Sequence, residues 1–373
     1  MSTKSRKLRI GIYAANEFPY PVPAGNIHGV ITVAGALADG LTDRGHTVTY
    51  FCPTESRTRA HKQDLGYHSF INLPISHTIP RGHIRYQCKS FYAQQMARDI
   101  VRYLRRHPVD ILHLHNSRDA LPFMHFLPGL PKVVTIHDSL FIPHYRFFMQ
   151  LYQHLPETYF LSISQRQQQG METLPWFANV YNGTDPNLFT FNPTPDEHVL
   201  FSGRFVPEKG IDLALLAASQ ARRPIHVVGF FDQRVELSKE FKQAITVLLH
   251  QPHVRYTNRA DYTHLPQYYG KAKAVLFPIQ WEEAFGLVMI EAMACGTPVI
   301  AFKRGSVPEI IKDGKTGYIV RTFSEMVRAI KKINAIDRRA CRAHVVKNFS
   351  LSKMVNRYES VYDQVLTDFK RRR

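Results

Sequence analysis

Short apolar runs alternate with longer stretches whose apolar positions recur every three or four residues, almost from one end of the chain to the other. That rhythm of strand, helix, strand builds parallel sheets covered by helices. Leu8–Tyr13 reads as the first strand, followed by a Pro- and Gly-rich loop from Phe18 to Gly25. A helix is expected over His28–Thr42, stopped at Arg44-Gly45. His46–Phe51 is the next strand, and Phe91–Arg106 a helix ended by His107-Pro108. Asp110–His115, Val133–His137, Tyr159–Ile163 and Val180–Tyr181 are further strand ends.

The character changes at Asp185–Glu197, which holds three prolines and few apolar pairs and reads as a linker. A second series follows. Strands are expected at His198–Ser202, Ile225–Val228, Val254–Tyr256, Ala274–Pro278 and Pro298–Ala301. Helices are expected at Ile211–Gln220, Leu237–His250, about Gly286–Ala294 and Ser350–Phe369. The chain therefore divides into two α/β units of similar plan (1–190 and 191–349) and a terminal helix (350–373). No repeat of 20–50 residues and no low-complexity tract interrupts this plan.

Bulk composition fits two domains, since 373 residues exceed one ordinary core. Hydrophobic residues at 44% and charged residues at 21% are ordinary for a globular chain. The four cysteines, Cys52, Cys88, Cys295 and Cys341, have no metal-ligand spacing and read as buried thiols. No targeting segment and no run of about 18 apolar residues is visible, so a cytoplasmic location is expected. The unusual feature is charge: 48 Lys and Arg against 30 Asp and Glu give +18. Such a surface attracts phosphates, whether of nucleotides, anionic lipid or nucleic acid, although a merely solvated basic surface has the same composition.

Several site classes fail on spacing. Neither the loop from Gly11 to Gly25 nor the loop after Ser202 has G-x-G-x-x-G. Gly314-Lys315-Thr316 resembles the end of a phosphate loop, but Glu309 stands where the first glycine belongs; Asp313-Gly314 reads instead as a turn between short strands. His113 and His115 share one strand face without any further ligand pattern, so no metal is expected. There is no G-x-S-x-G and no H-E-x-x-H.

The stretch Trp281–Ala301 carries the chemistry. A strand ends near Pro278, a short loop carries Glu282 and Glu283, and a helix starts near Gly286. The first free N–H groups, those of Gly286, Leu287 and Val288, together with the helix dipole form an anion site. Gly286 lets a phosphate approach the backbone. Glu291 lies about a turn and a half along and could accept paired hydrogen bonds from vicinal hydroxyls, as on a ribose. Glu283 could reach hydroxyls on the other side of the phosphates. Two surface carboxylates flanking an apolar helix would account for the spacing equally well.

The segment from Glu283 to Glu291, followed by Gly296-Thr297-Pro298, resembles the E-x7-E donor-site motif of glycosyltransferase family 4. The resemblance runs from Leu8 to about Leu366 and implies the GT-B architecture: two Rossmann-like, doubly wound domains facing across a cleft, with the terminal helix crossing back to the first. Gly203-Arg204-Phe205-Val206-Pro207-Glu208-Lys209-Gly210 resembles the family's diphosphate clamp, with Arg204 and Lys209 on the leaving group. His137, in Val133–Asp138, resembles the cleft histidine that meets the transferred sugar, and Asn182–Pro186 the segment ending the first domain. By the same resemblance His137, Arg204, Lys209 and Glu283 are the catalytic set. Gly25, Gly203, Phe285, Gly286, Leu287, Val288 and Glu291 are the donor-binding set. Where the family often has two adjacent glycines after the first strand, this chain has Ala24-Gly25, which makes the acceptor pocket and the donor pose less defined.

The resemblance implies transfer of a hexose, with retention at the anomeric carbon, from a nucleoside diphosphate sugar to a hydroxyl acceptor (a sugar, a lipid-linked sugar or a small molecule). No first-domain carboxylate stands out as a nucleophile, which favours same-face transfer without cofactor or metal. UDP-glucose is the first donor expected, ahead of GDP-mannose and ADP-glucose. Arg98, Arg102, Arg105 and Arg106, the terminal Lys370–Arg373 and the aromatic segment Leu140–Leu155 could rest on an anionic membrane at its inner face. A solvated helix face and a buried aromatic cluster explain the same residues and are preferred. The rivals are a sugar-nucleotide epimerase or phosphorylase on the same plan, and a nucleic-acid binder suggested by the charge but by no binding module.

Overall fold

A computed structural model describes residues 6–80, 82–115, 117–232 and 236–373. The first half forms a seven-stranded, wholly parallel sheet: β1 (Arg9–Tyr13), β2 (Thr47–Phe51), β3 (His61–Gln63), β4 (Ile111–Leu114), β5 (Lys132–Thr135), β6 (Thr158–Ser162) and β7 (Trp176–Asn179), in the order β3-β2-β1-β4-β5-β6-β7. The second half forms a six-stranded parallel sheet: β8 (Val199–Phe205), β9 (Ile225–Phe231), β10 (Val254–Asn258), β11 (Ala274–Phe277), β12 (Val299–Phe302) and β13 (Gly317–Val320), in the order β10-β9-β8-β11-β12-β13.

The helices that matter below are α1 (Gly29–Asp43), α2 (His83–Leu104), α3 (Ser117–Ala120), α4 (Pro143–Tyr152) and α5 (Gln165–Gln169) in the first half. In the second they are α6 (Ile211–Gln220), α7 (Lys239–Leu249), α8 (Leu265–Lys271), α9 (Leu287–Ala294), α10 (Val307–Ile310), α11 (Phe323–Lys332) and α12 (Arg338–Asn348). The terminal α13 spans Leu351–Arg371.

Each sheet reverses its strand order once, between β1 and β4 and between β8 and β11. Ligands of doubly wound sheets bind at the carboxyl ends of strands beside such a switch. The loop after β1, the ends of β4 and β5, and the ends of β8 and β11 therefore set the site.

The strand cores are nearly continuous apolar runs because helices cover both faces. Ile10, Ile12, Ile111, Val133 and Leu161 of the first sheet pack with α1 and α13, while Tyr13, Phe51, Leu112, Leu114 and Phe160 pack on the opposite face with α2 and α4. The second domain has its own buried cluster. In α13 the apolar positions Met354, Val355, Tyr358, Val361, Tyr362 and Val365 recur at helical spacing and are buried on the first domain beside α1. Ser350 caps this helix through the Lys353 N–H, and Thr184 and Leu351 exchange backbone contacts at the crossover (Leu351 N to Thr184 O, 2.7 Å). The terminal helix thus fastens the two halves together.

Several boundaries differ from the sequence expectations. Trp176–Asn179, and not Val180–Tyr181, is the last strand of the first sheet; Trp176 and Phe177 are only half-buried at this sheet edge and hid its period. Helix α2 begins at His83, eight residues before Phe91, because its exposed first turns carry polar residues. Asp313-Gly314 turns from α10 into β13, which pairs in parallel with β12, so no second short strand precedes it. The Asp185–Glu197 stretch is anchored rather than loose: Phe189 is fully buried against Tyr262 and Tyr269, and Arg342 donates to the carbonyls of Pro186 and Phe189. Arg98 and Arg102 pair with Asp99, and Arg105 donates to the Phe126 carbonyl, so these arginines are engaged within the protein. Among the described residues no helix is long and apolar enough to cross a membrane.

Candidate active site

Strand β8 runs on through Arg204 to Phe205, and a single 3₁₀ turn, Pro207–Lys209, carries Lys209 to the start of α6. Gly210 at that junction is in the left-handed region (φ 67°), and a Cβ there would lie 2.2 Å from the Pro278 carbonyl oxygen. Only glycine lets the clamp loop close onto the end of β11. As a result Lys209 Nζ donates to Glu283 Oε2 at 2.5 Å, although 74 residues separate them. The ammonium also lies 5.3 Å from the Trp281 ring and 5.6 Å from the Phe277 ring.

Trp281 Nε1–H donates to the same Glu283 oxygen at 2.9 Å. The other oxygen accepts from no described residue. Burial pushes the Glu283 carboxyl up, but Lys209, Trp281 and Arg204 outweigh burial and hold it below the usual carboxylate range. Glu283 is therefore an anion at neutral pH in a mostly buried position. Arg204 pairs with Asp232 at the end of β9, a partner the sequence did not reveal.

Gly286 is the N-cap of α9, with φ 81°, and no side chain caps the helix. A Cβ there would lie 2.8 Å from Met289 Cε and 3.2 Å from Phe277 Cζ. The open N–H groups of Gly286, Leu287 and Val288 thus stand at the same loop as the Lys209–Glu283 pair. Leu287 bridges both halves: it packs on the second-domain core and on the first-domain core, with its Cδ1 3.1 Å from where a Cβ on Gly29 would lie. Two helix N-termini, those of α1 and α9, therefore meet across the cleft.

Glu291 is 4% exposed and lies under a tyrosine pair absent from the sequence reading. Tyr262 O–H donates to its Oε1 at 3.2 Å and Tyr269 O–H to its Oε2 at 3.1 Å. Burial raises its pKa to about 7, with the two tyrosine hydroxyls partly countering. A carboxylate accepts about four hydrogen bonds, and the two tyrosines take two of them.

Phe285 is 2% exposed, and its ring packs between Tyr181 and Phe349 at 6.2 Å from each; its side chain belongs to the core and only its backbone lies in the loop. The Ser306 hydroxyl donates to its carbonyl. Gly203 lies on β8 against Gly229, so close that a Cβ on Gly229 would stand 2.0 Å from the Gly203 carbonyl oxygen. Gly25, at φ 73°, faces Arg259 of the second domain, where a Cβ would stand 3.5 Å from the Arg259 Cβ.

The first-domain wall is built from histidines. His113 on β4 is fully buried and fully bonded, with Tyr362 Oη 2.7 Å from Nδ1 and Thr135 Oγ1 2.8 Å from Nε2. His115 Nδ1 lies 2.8 Å from His137 Nε2. Burial takes His113 and His137 down to about 3 and pushes His115 well below the usual histidine range, with neighbouring histidines adding to the effect, so all three rings are neutral. His113 is engaged by Thr135 and α13, and His115 by His137; among the described residues no group of three or more His, Cys, Asp or Glu is arranged for a metal.

Gln167 fixes the loop that carries His137. Its amide donates to the carbonyls of Ile136 (2.9 Å) and Asp138 (2.8 Å). Next to His137, Asp138 is a first-domain carboxylate at the cleft that the sequence reading passed over. Across the crossover, Glu309 of α10 accepts from the N–H groups of Gln165 and Arg166, each at 2.8 Å, and Arg166 pairs with Glu282 at 2.9 Å.

Two facing doubly wound domains, with a cation-bearing clamp loop, an open helix N-terminus and a carboxylate paired with the clamp lysine on one wall of the cleft, define the GT-B class. The chain belongs to glycosyltransferase family 4 within that class. Residues 27–170 match the model of Glycosyltransferase Family 4, and residues 189–345 that of glycosyl transferases group 1. The phosphatidyl-myo-inositol mannosyltransferase of Mycolicibacterium smegmatis is 25% identical over 94% of this chain and 90% of its own length. A D-inositol 3-phosphate glycosyltransferase of Jonesia denitrificans is 36% identical over 36% of this chain and 37% of its own length. Alignments with the first curated relatives span about half of their length or less. In fold, Anabaena HepE, solved with UDP and glucose, superposes with a TM-score of 0.70 at 19% identity, over 96% of this chain and all of its own.

Proposed function

We propose that this chain is a retaining, metal-independent glycosyltransferase that moves a hexose from a nucleoside diphosphate sugar to a hydroxyl acceptor, with UDP-glucose as the first donor to try. The 2.5 Å Lys209–Glu283 pair carries the reading, because it joins the clamp loop to the loop ahead of the α9 N-terminus. A diphosphate in that corner would meet Lys209, Arg204 and the N–H groups of Gly286, Leu287 and Val288. Glu283 and Glu291 would accept hydroxyls of the sugar and the ribose. Anabaena HepE was solved with UDP and with UDP-glucose, which favours a uridine donor.

In the reaction the bond from the anomeric carbon to the diphosphate oxygen breaks and a bond to the acceptor oxygen forms on the same face. The acceptor proton passes to the departing diphosphate, whose charge the two cations and the helix end stabilise. The neutral His137 ring would hydrogen-bond the moving sugar. Closure across the cleft keeps water from the donor.

A thermal-shift panel of UDP-, GDP- and ADP-sugars tests the donor, and product anomer analysis tests retention. Failure of every nucleotide sugar to stabilise the protein overturns the reading, and loss of activity in a chelator overturns metal independence. Conversion of the donor without any acceptor would point to an epimerase, and a need for inorganic phosphate to a phosphorylase. Phe147 and Leu151, 55% and 58% exposed on α4, would enter a lipid surface; failure to pellet with anionic liposomes at low salt removes that partner.

A further inference from the structure

Asp138 stands among basic groups drawn from four elements. Burial raises the pKa of its carboxyl group, and Arg118 of α3, His144 of α4, His28 at the N-cap of α1 and Lys89 of α2 act against that rise. Yet no described side chain donates a hydrogen bond to it. The nearest, Arg118 Nε, is 3.8 Å from Oδ2, an ion pair beyond hydrogen-bond reach.

The cations are held by other partners. Lys89 donates to Glu17 at 2.9 Å, and His28 Nε2 is 3.5 Å from the same carboxylate. Arg118 donates to Tyr86 Oη at 2.6 Å, and its guanidinium carbon lies 5.7 Å from the Tyr86 ring and 5.1 Å from the Tyr145 ring. Asp138 and Arg118 remain 34% and 25% exposed, and Tyr86 41%. The cluster therefore combines an accessible carboxylate, a guanidinium held in place, and two aromatic rings. It opens on the cleft: Asp138 follows His137, and the charge of Arg204 reaches Tyr145 from the second domain.

We propose that Asp138, Arg118, Tyr86 and Tyr145 form the acceptor subsite, and that the acceptor is an uncharged, hydroxyl-rich sugar. The proposal rests on the transferase reading above and adds the acceptor's chemistry to it. Vicinal hydroxyls are the groups that can fill the vacant acceptor positions of Asp138 while taking a hydrogen bond from Arg118. The tyrosine rings offer flat apolar surface to the C–H face of a pyranose. A phosphate or carboxylate in the same place would meet Asp138 at contact distance. Asp138 already offsets Arg118 and Glu17 already offsets Lys89, so no spare charge compensates that repulsion.

The test uses the whole chain with two readouts. The first is nucleotide-sugar binding by thermal shift for the wild type, Asp138→Asn and Arg118→Lys. Equal stabilisation shows that the variants fold and keep the donor site; no stabilisation of the wild type sinks the transferase reading and the subsite with it. The second is transfer to methyl glycosides of glucose, galactose and mannose, and to the corresponding 6-phosphates. The expected result is transfer to at least one neutral glycoside in preference to its phosphate. Asp138→Asn then raises the acceptor KM at least tenfold while the donor KM stays within twofold, and Arg118→Lys acts in the same direction. With donor binding intact, preference for the phosphates, refusal of every neutral glycoside, or an unchanged acceptor KM in Asp138→Asn overturns the subsite.

Discussion

His115 Nδ1 lies 2.8 Å from His137 Nε2, with the two rings stacked at 28°, while the far nitrogen of His115 is buried without a partner. Both rings are neutral, so one proton is shared along that contact. His137 Nε2 is thereby occupied, and its Nδ1, which no described residue bonds, is the nitrogen left for a ligand. His115 is thus a positioning residue. His115→Asn, which keeps a polar atom near Nδ1, should retain most activity. His115→Leu should lower kcat about tenfold to a hundredfold with little change in donor KM. Steady-state kinetics of the two variants checks this, and equal activity in both would count against the role.

Lys209→Ala removes a clamp cation and leaves Glu283 buried without its main counter-charge. Removing one preorganised charge from a transfer site costs about 100- to 1000-fold in turnover. The purified variant should keep its secondary structure by circular dichroism and lose at least that much kcat. A folded variant with normal turnover removes Lys209 from the mechanism.

Glu291 is held near pKa 7, above its ordinary 4.5, mainly by burial. Between those values the folded chain keeps a proton the unfolded chain has lost, so this group makes stability fall as pH rises from about 4.5 to 7. The full effect is about 3 kcal/mol. Glu291→Gln should therefore melt higher than the wild type at pH 8, with little difference at pH 4.5, while weakening nucleotide binding. Melting curves at the two pH values decide it; an unchanged or lower melting temperature at pH 8 contradicts the buried-charge account.

The three cleft histidines act in the opposite sense. With His113 and His137 depressed to about 3 and His115 also well below its ordinary value, the unfolded chain gains protons below about pH 6.5 that the folded chain refuses. Stability then falls as pH drops through that window, by about 1.4 kcal/mol per unit for each ring. Three rings outweigh Glu291, so denaturant midpoints should rise from pH 4.5 to 6.5. A flat or falling profile would show that these rings are not buried as neutral groups.

The strand and helix series could be read from the sequence because buried parallel strands are apolar on both faces and the helices between them keep a 3.6-residue period. The Ile211–Gln220 helix was legible to the residue, and α9 to within one. Edges were not, as β7 and the start of α2 show, since half-exposed residues carry a weak period. The direction of the Phe285 side chain was not legible for a different reason. It sits among loop residues in the motif, and only the neighbouring Tyr181 and Phe349 rings show that its side chain turns inward.

Local order along the chain determined the elements and the motif from Glu283 to Glu291, because helix starts, strand ends and glycine turns are written in adjacent residues. The tertiary structure decided which distant side chains meet. Lys209 reaches Glu283, Tyr262 and Tyr269 cover Glu291, Tyr362 reaches His113 across 249 residues, and Asp138 is left among cations without a hydrogen bond. Charge state and open hydrogen-bonding capacity depend on burial and on neighbours brought in by packing, and neither is a property of sequence spacing.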